Sequence, residues 1–121
     1  PLPAMKQHEV FESVPGILRP FKAFIDGLSL GSGDQIVYYG CPGTCTPFIE
    51  LLGFAIRSSP AEQVFVPLTD EKQARKIVSV PDVGMQVSRE AVKLNPGNRT
   101  AEATRDRVAE ILGGRRGAFI A

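Results

Sequence analysis

Apolar positions along the chain switch between two periods, and each switch marks the edge of an element. Ile17, Leu18, Phe21, Phe24, Ile25 and Leu28 recur as one face of a helix. Pro20 interrupts this segment, either as its first helical residue, where a missing N–H costs nothing, or as a kink. Gly27 and the Gly31-Ser32-Gly33 cluster end the helix and open a turn. Four consecutive apolar residues, Ile36 to Tyr39, then predict a strand over 35–39 buried on both faces, the habit of a central parallel strand. The next helix has a clear start, with Thr46 as its cap and Pro47 at the first helical position. Phe48, Leu51, Leu52, Ala55 and Ile56 form its stripe, and Ile49 and Phe54 widen it well past an amphipathic face. Such a helix is either deeply buried or covered by a second subunit.

Arg57-Ser58-Ser59-Pro60 stops that helix, and Gln63 to Leu68 reads as a second strand, with Pro67 where ladder hydrogen bonding gives out. Thr69 or Asp70 caps a predicted helix over 71–78 that turns Ala74, Ile77 and Val78 inward. Val83 to Val87 comes next as a third strand; alternatively Ile77 to Val80 is itself a strand and the two make a hairpin. Ser88 caps a short helix over 89–94, which Pro96-Gly97 terminates. A last helix over 100–112 buries Ala101, Thr104, Val108, Ile111 and Leu112, and residues 117–121 supply an edge strand.

Strands alternating with helical patterns predict an α/β fold: a three-layer, Rossmann-like domain with a short, mainly parallel sheet and helices on both faces. Residues 1–12 are expected to form an N-terminal arm, His8 on it exposed to solvent, and residues 13–121 a single domain. In parallel sheets of this kind ligands bind beyond the carboxyl ends of the strands, where the strand order reverses. That rule points to the turn between the first strand and the helix at Thr46. The turn offers backbone N–H groups at a helix N-terminus.

Composition changes this picture little. The 121 residues are 43% hydrophobic and 22% charged, ordinary for a globular protein. A net charge of +1 argues against nucleic-acid binding, which shows a clustered basic excess. Arg115-Arg116 is the one dense basic spot, and a solvated helix end explains it as well as a phosphate contact does. No apolar run approaches the roughly 20 residues that cross a bilayer, so no membrane partner is expected. Two cysteines do not make a secreted disulfide framework, and a cytoplasmic, reducing setting is expected.

The turn carries the candidate chemistry: Gly40, Cys41, Gly43, Thr44, Cys45 and Thr46, with Asp70 beyond the second strand. Spacing excludes several motifs. There is no G-x-x-x-x-G-K-[ST], and Gly40 with Gly43 is not G-x-G-x-x-G. A phosphatase-like C-x5-R fails at both cysteines, where Pro47 and Leu51 stand in place of arginine. With one distant histidine, neither a zinc site nor a Cys–His pair is indicated, and the spacing names no cofactor, which stays unknown.

Cys41 and Cys45 have three readings: small buried hydrophobes, ligand-lining residues, or a redox or metal-ligating pair. A thiol beside a helix N-terminus has its thiolate favoured, lowering its pKa from about 8.5. Thr44 and Thr46 add hydroxyls and backbone donors that suit a phosphate, carboxylate or other small anion without any charged side chain. Asp70 either accepts a ribose hydroxyl or forms a capping box with Gln73. Tyr38 and Tyr39 fill the sheet, with at most one phenol reaching the turn.

The runs Gly16 to Phe24 and Gly-Cys-Pro-Gly-Thr-Cys-Thr-Pro-Phe (40–48) resemble a family of small archaeal proteins, mostly from methanogens, with no assigned function. The resemblance implies a compact Rossmann-like α/β domain in the cytoplasm and transfers no catalytic residue. The first expectation is therefore a domain binding a small anion, such as a nucleotide or phosphate, in the 40–46 turn, with self-association. A thiol-dependent redox enzyme or sensor using Cys41 and Cys45 is the second. A structural homo-oligomeric module, in which the apolar helix 47–57 meets its partner, is the third.

Overall fold

The computed structural model describes residues 13–96. The expected arm over 1–12, the helix over 100–112 and the strand over 117–121 lie outside them, as does His8. In chain order the elements are helix α1 (Ser13–Asp26), strand β1 (Gln35–Gly40), helix α2 (Thr46–Ala55), strand β2 (Glu62–Pro67), a single 3-10 turn (Glu71–Gln73), strand β3 (Arg75–Val80) and strand β4 (Gly84–Ala91).

The four strands form one sheet in sequence order, β1-β2-β3-β4. Only β1 and β2 run parallel, in register from Gln35 opposite Glu62 to Gly40 opposite Pro67, with α2 as their crossover. The pairs β2–β3 and β3–β4 are antiparallel. The described sheet is thus mixed α/β and mostly antiparallel, which corrects the expected mainly parallel, Rossmann-like sheet. Strand order never reverses, so the described sheet has no switch point, and β1 stands at its edge rather than at its centre.

The helix expected over 71–78 reduces to the 3-10 turn, and the residues beyond it adopt the hairpin alternative. Apolar residues at 77, 78 and 80 fit either period, and pairing decides between them. Val64 and Phe65 of β2 face Lys76 and Arg75, and Ile77 faces Val87 across the hairpin. Asp82, with φ of 63°, and Gly84, with φ of 144°, turn it. The helix expected over 89–94 is likewise replaced, because Ala91 pairs with Arg75 and extends β4.

Both described helices cover one face of the sheet, where helices on both faces were expected. Phe21 and Ile25 of α1 and Ile49, Leu52 and Ile56 of α2 pack with Ile36, Tyr38, Phe65 and Ile77. Period-two alternation sends Tyr39, Val64 and Val66 to the other face, where Ala74, Val37, Val92 and Leu94 join them. The buried side of α1 matches the expected stripe at Phe21 and Ile25, but Ile17 is exposed and Pro20 lies within the helix. On α2 the buried side is rotated, with Ile49, Leu52, Gly53 and Ile56 inside and Phe48, Leu51 and Phe54 outside.

A buried polar bridge fastens α2 to the sheet. The Tyr38 hydroxyl donates to Gln63 Oε1 at 2.8 Å, and Gln63 Nε2 donates to the Gly53 carbonyl at 3.1 Å. That carbonyl belongs to the last turn of α2, where the helix cannot supply every donor itself. Gly53 is required there, since a Cβ would come within 2.8 Å of Gln63 Oε1.

Candidate functional site

The turn over 41–45 leaves the carboxyl end of β1 and delivers the chain into α2, as the apolar pattern indicates. Its neighbour in space is the end of β2, because Leu68 N–H donates to the Gly40 carbonyl at 2.6 Å. Leu68 takes a left-handed φ of 54° and is 46% exposed, an uncommon conformation for a bulky residue.

Cys41 and Cys45 are joined in a disulfide, with their Cα atoms 5.5 Å apart. Both residues are half-buried, while Pro42, Gly43 and Thr44 between them are exposed. The Thr44 hydroxyl lies 3.4 Å from Cys41 Sγ. Gly43 has φ of +90°, which permits the reversal, and no atom lies within 4 Å of where its Cβ would stand. Four residues of separation suffice because the turn doubles back on itself before α2 begins.

Capping of α2 differs from expectation. Cys45, not Thr46, is the N-cap residue, and it makes no side-chain capping bond. Thr46 is the first residue of the helix, and its hydroxyl accepts the Gly43 N–H at 3.3 Å. Thr46 N–H in turn donates to the Gly43 carbonyl at 3.2 Å, and Ile49 N–H to the Cys45 carbonyl at 3.0 Å. Proline stands next, at position 47, and has no N–H. Two of the donors that a bound anion would use, the Gly43 and Thr46 N–H groups, are therefore committed inside the turn, and Pro47 supplies none.

Asp70 is exposed, and both carboxylate oxygens serve its own turn: Oδ1 accepts from Lys72 N–H at 3.2 Å and Oδ2 from Gln73 Nε2 at 2.7 Å. The capping role is the one it fills. Neither phenol points into the 41–46 turn. The Tyr39 hydroxyl is 3.2 Å from Glu71 Oε1, beyond β2. Tyr38 is fully buried on Gln63, and burial pushes its phenol well above the usual tyrosine value. The chain pattern did not reveal Gln63: a polar residue at the start of an apolar strand reads as its boundary, and only the facing Tyr38 and Gly53 give it a role.

A shallow groove of about 340 Å³ lies at the opposite end of the sheet, before β2, with Arg57, Ser59, Glu62, Lys76 and Met85 among its lining residues. Lys76 and Glu62 approach to 3.8 Å across it. The groove is remote from the cysteine turn, since β2 runs its length between them. Among the described residues no helix is long and apolar enough to cross a membrane. No group of three or more histidine, cysteine, aspartate or glutamate side chains gathers there.

Residues 12–103 match the family described as uncharacterized protein conserved in archaea (DUF2124). The chain belongs to this family. It is 35% identical over 65 residues to an uncharacterized protein of Methanothermobacter thermautotrophicus, a match covering 54% of this chain and 38% of the relative. It is 34% identical over 71 residues to an uncharacterized protein of Methanocaldococcus jannaschii, covering 59% and 40%. The matched part therefore spans about two-fifths of the length of these relatives. The fold is similar to the crystal structure of a protein of unknown function from Methanothermobacter thermautotrophicus. That likeness has a TM-score of 0.58 at 26% identity, over 75% of this chain and 54% of the other. The motif Gly40 to Phe48 and the disulfide it contains thus lie inside the stretch that defines the family.

Proposed function

We propose that this part of the family is a thiol–disulfide redox domain whose working element is the Cys41–Cys45 turn. The observation that carries the reading is the disulfide itself, closed over an exposed turn at the start of α2. An incoming thiolate from a dithiol reductant attacks Cys41 Sγ, the S–S bond breaks, and Cys45 leaves as a thiolate. At the N-cap position a negative sulfur is favoured by the helix dipole. The reductant's second thiol then displaces Cys41, and two protons complete the pair of protein thiols. Two electrons have moved, and the reductant ends as its own disulfide. The Thr44 hydroxyl, 3.4 Å from Cys41 Sγ, donates to that sulfur when it is negative.

Equilibration against glutathione and dithiothreitol redox buffers, followed by alkylation and intact mass, tests this. The expected result is a two-thiol transition with a potential between about −270 and −120 mV, the span of exchange-active pairs. Substitution of either cysteine by serine removes it. A pair that stays oxidised below about −300 mV is a structural link, and that result defeats the proposal.

Binding of a small anion at the same turn is a second reading, supported by the open space around Gly43. It stands lower because Gly43 and Thr46 spend their N–H groups on each other. Thermal-shift titration with phosphate and nucleotides tests it, with stabilisation that Gly43→Val abolishes as the expected outcome.

A further inference from the structure

α2 is apolar but for Thr46 and Glu50, yet only half of it meets the sheet. Ile49, Leu52, Gly53 and Ile56 are buried, whereas Phe48, Leu51 and Phe54 are 57%, 42% and 40% exposed. At about 100° per residue the second set occupies the far side of the helix, together with Ala55 and Pro47. A surface helix ordinarily turns polar residues that way. Val83 extends the patch: it is 83% exposed, and its neighbour Gly84 lies against the Phe54 ring.

The two charged side chains on and just after α2 are already engaged. The Arg57 guanidinium stacks 3.9 Å over the Phe54 ring and donates to the Phe54 carbonyl at 2.9 Å. The Glu50 carboxylate accepts the Val87 N–H at 2.9 Å. Along α2 itself the exposed side chains are apolar and carry no charge that would select a partner.

We infer that this face is a homodimer contact, in which a second copy of the chain lays its own α2 antiparallel across a twofold axis at Leu51. The four exposed side chains present on the order of 450 Å² of apolar surface, within the roughly 300–600 Å² of the largest patch on a typical monomer, a size that is often functional. If that forms about 65% of the contact, each copy buries roughly 700 Å², close to the approximately 800 Å² of a stable interface. The pattern along the helix is self-complementary. With Leu51 on the axis, Phe48 three residues before it meets the partner subunit's Ala55 four residues after, so large faces small. Antiparallel crossing also separates the two Arg57 side chains by about 18 Å along the axis, beyond the roughly 10 Å screening length. The contact does not depend on the redox reading.

Sedimentation equilibrium of the full chain from about 1 to 500 μM tests it. The wild type is expected to dimerise with a micromolar Kd, and Leu51→Glu, which sets two carboxylates on the axis, to weaken this by about 100-fold or more. Lys93→Glu, on the other side of the sheet, leaves the Kd unchanged. Phe48→Glu serves as a second disrupting variant at a still more exposed site, and circular dichroism checks that each variant folds. A wild type that remains monomeric across the range, or a dimer that survives both Leu51→Glu and Phe48→Glu, overturns the inference.

Discussion

Replacing Gln63 by leucine probes the bridge that fastens α2 to the sheet. Leucine fills most of the glutamine's volume, so little cavity is left, but two polar atoms lose their partner at once. The Tyr38 hydroxyl and the Gly53 carbonyl are both buried, and water cannot reach them without opening the helix–sheet contact. At about 1–3 kcal/mol for each of the two orphaned groups, the substitution costs about 2–6 kcal/mol, a large share of a domain's 5–15 kcal/mol. Tyr38→Phe alone strands only Gln63 Oε1 and costs about 1–2 kcal/mol. In the double variant the first bond is gone from both ends, leaving only the Gly53 carbonyl unmet. Urea unfolding monitored by circular dichroism should therefore find the double variant less unstable than the sum of the single ones, by about 1 kcal/mol or more. Additivity within about 0.3–0.5 kcal/mol would refute the bridge.

Gly53→Ala is expected to destabilise by about 1–3 kcal/mol despite alanine's better helix propensity, because its Cβ meets a glutamine held at both ends; thermal unfolding checks this. The raised phenol of Tyr38 makes folding pH-dependent on the alkaline side. Its contribution is intact below pH about 10, and above that the unfolded chain loses a proton the folded chain keeps, so stability falls by up to about 1.4 kcal/mol per pH unit. Tyr38→Phe should flatten that part of the profile, and an unchanged slope counts against burial of a neutral phenol. Gly43→Ala, at φ of +90° with open space around it, should cost about 1–2 kcal/mol from backbone strain alone, read as a lower urea midpoint. Leu68→Gly should be close to neutral, because relief of about 1–2 kcal/mol at φ of 54° is offset by glycine's entropy cost of about 0.5–1 kcal/mol and by the loss of a side chain only 46% exposed, worth about 1 kcal/mol; a urea midpoint shift equivalent to about 2 kcal/mol either way would contradict this.

The local grammar around the candidate site was legible because every signal in it is short-range. An apolar run, a Gly/Pro turn and a proline at the head of a helix place β1, the turn and α2 without reference to anything distant. Two cysteines four residues apart in such a turn are an evident pair, although the chain alone left packing, ligand lining and redox chemistry open. Which donors the turn leaves open is not written locally: Thr46 and Gly43 satisfy each other, a choice made by the turn's closure rather than by either residue's preference.

What the chain determined by itself, then, is the order of its amino-terminal elements and the turn that holds its two cysteines. The tertiary structure decided the second half. Arg75 to Val80 fits a helix or a strand about equally, and Ser88 to Ala91 resembles a capped helix, but hydrogen bonding to β2 and across the hairpin makes both into strands. Strand direction and order come from those pairings, which join residues far apart in sequence. Which side of α2 faces inward was decided in the same way: a helix apolar but for Thr46 and Glu50 has little preferred face until Gln63 grips Gly53 and leaves Phe48, Leu51 and Phe54 pointing outward.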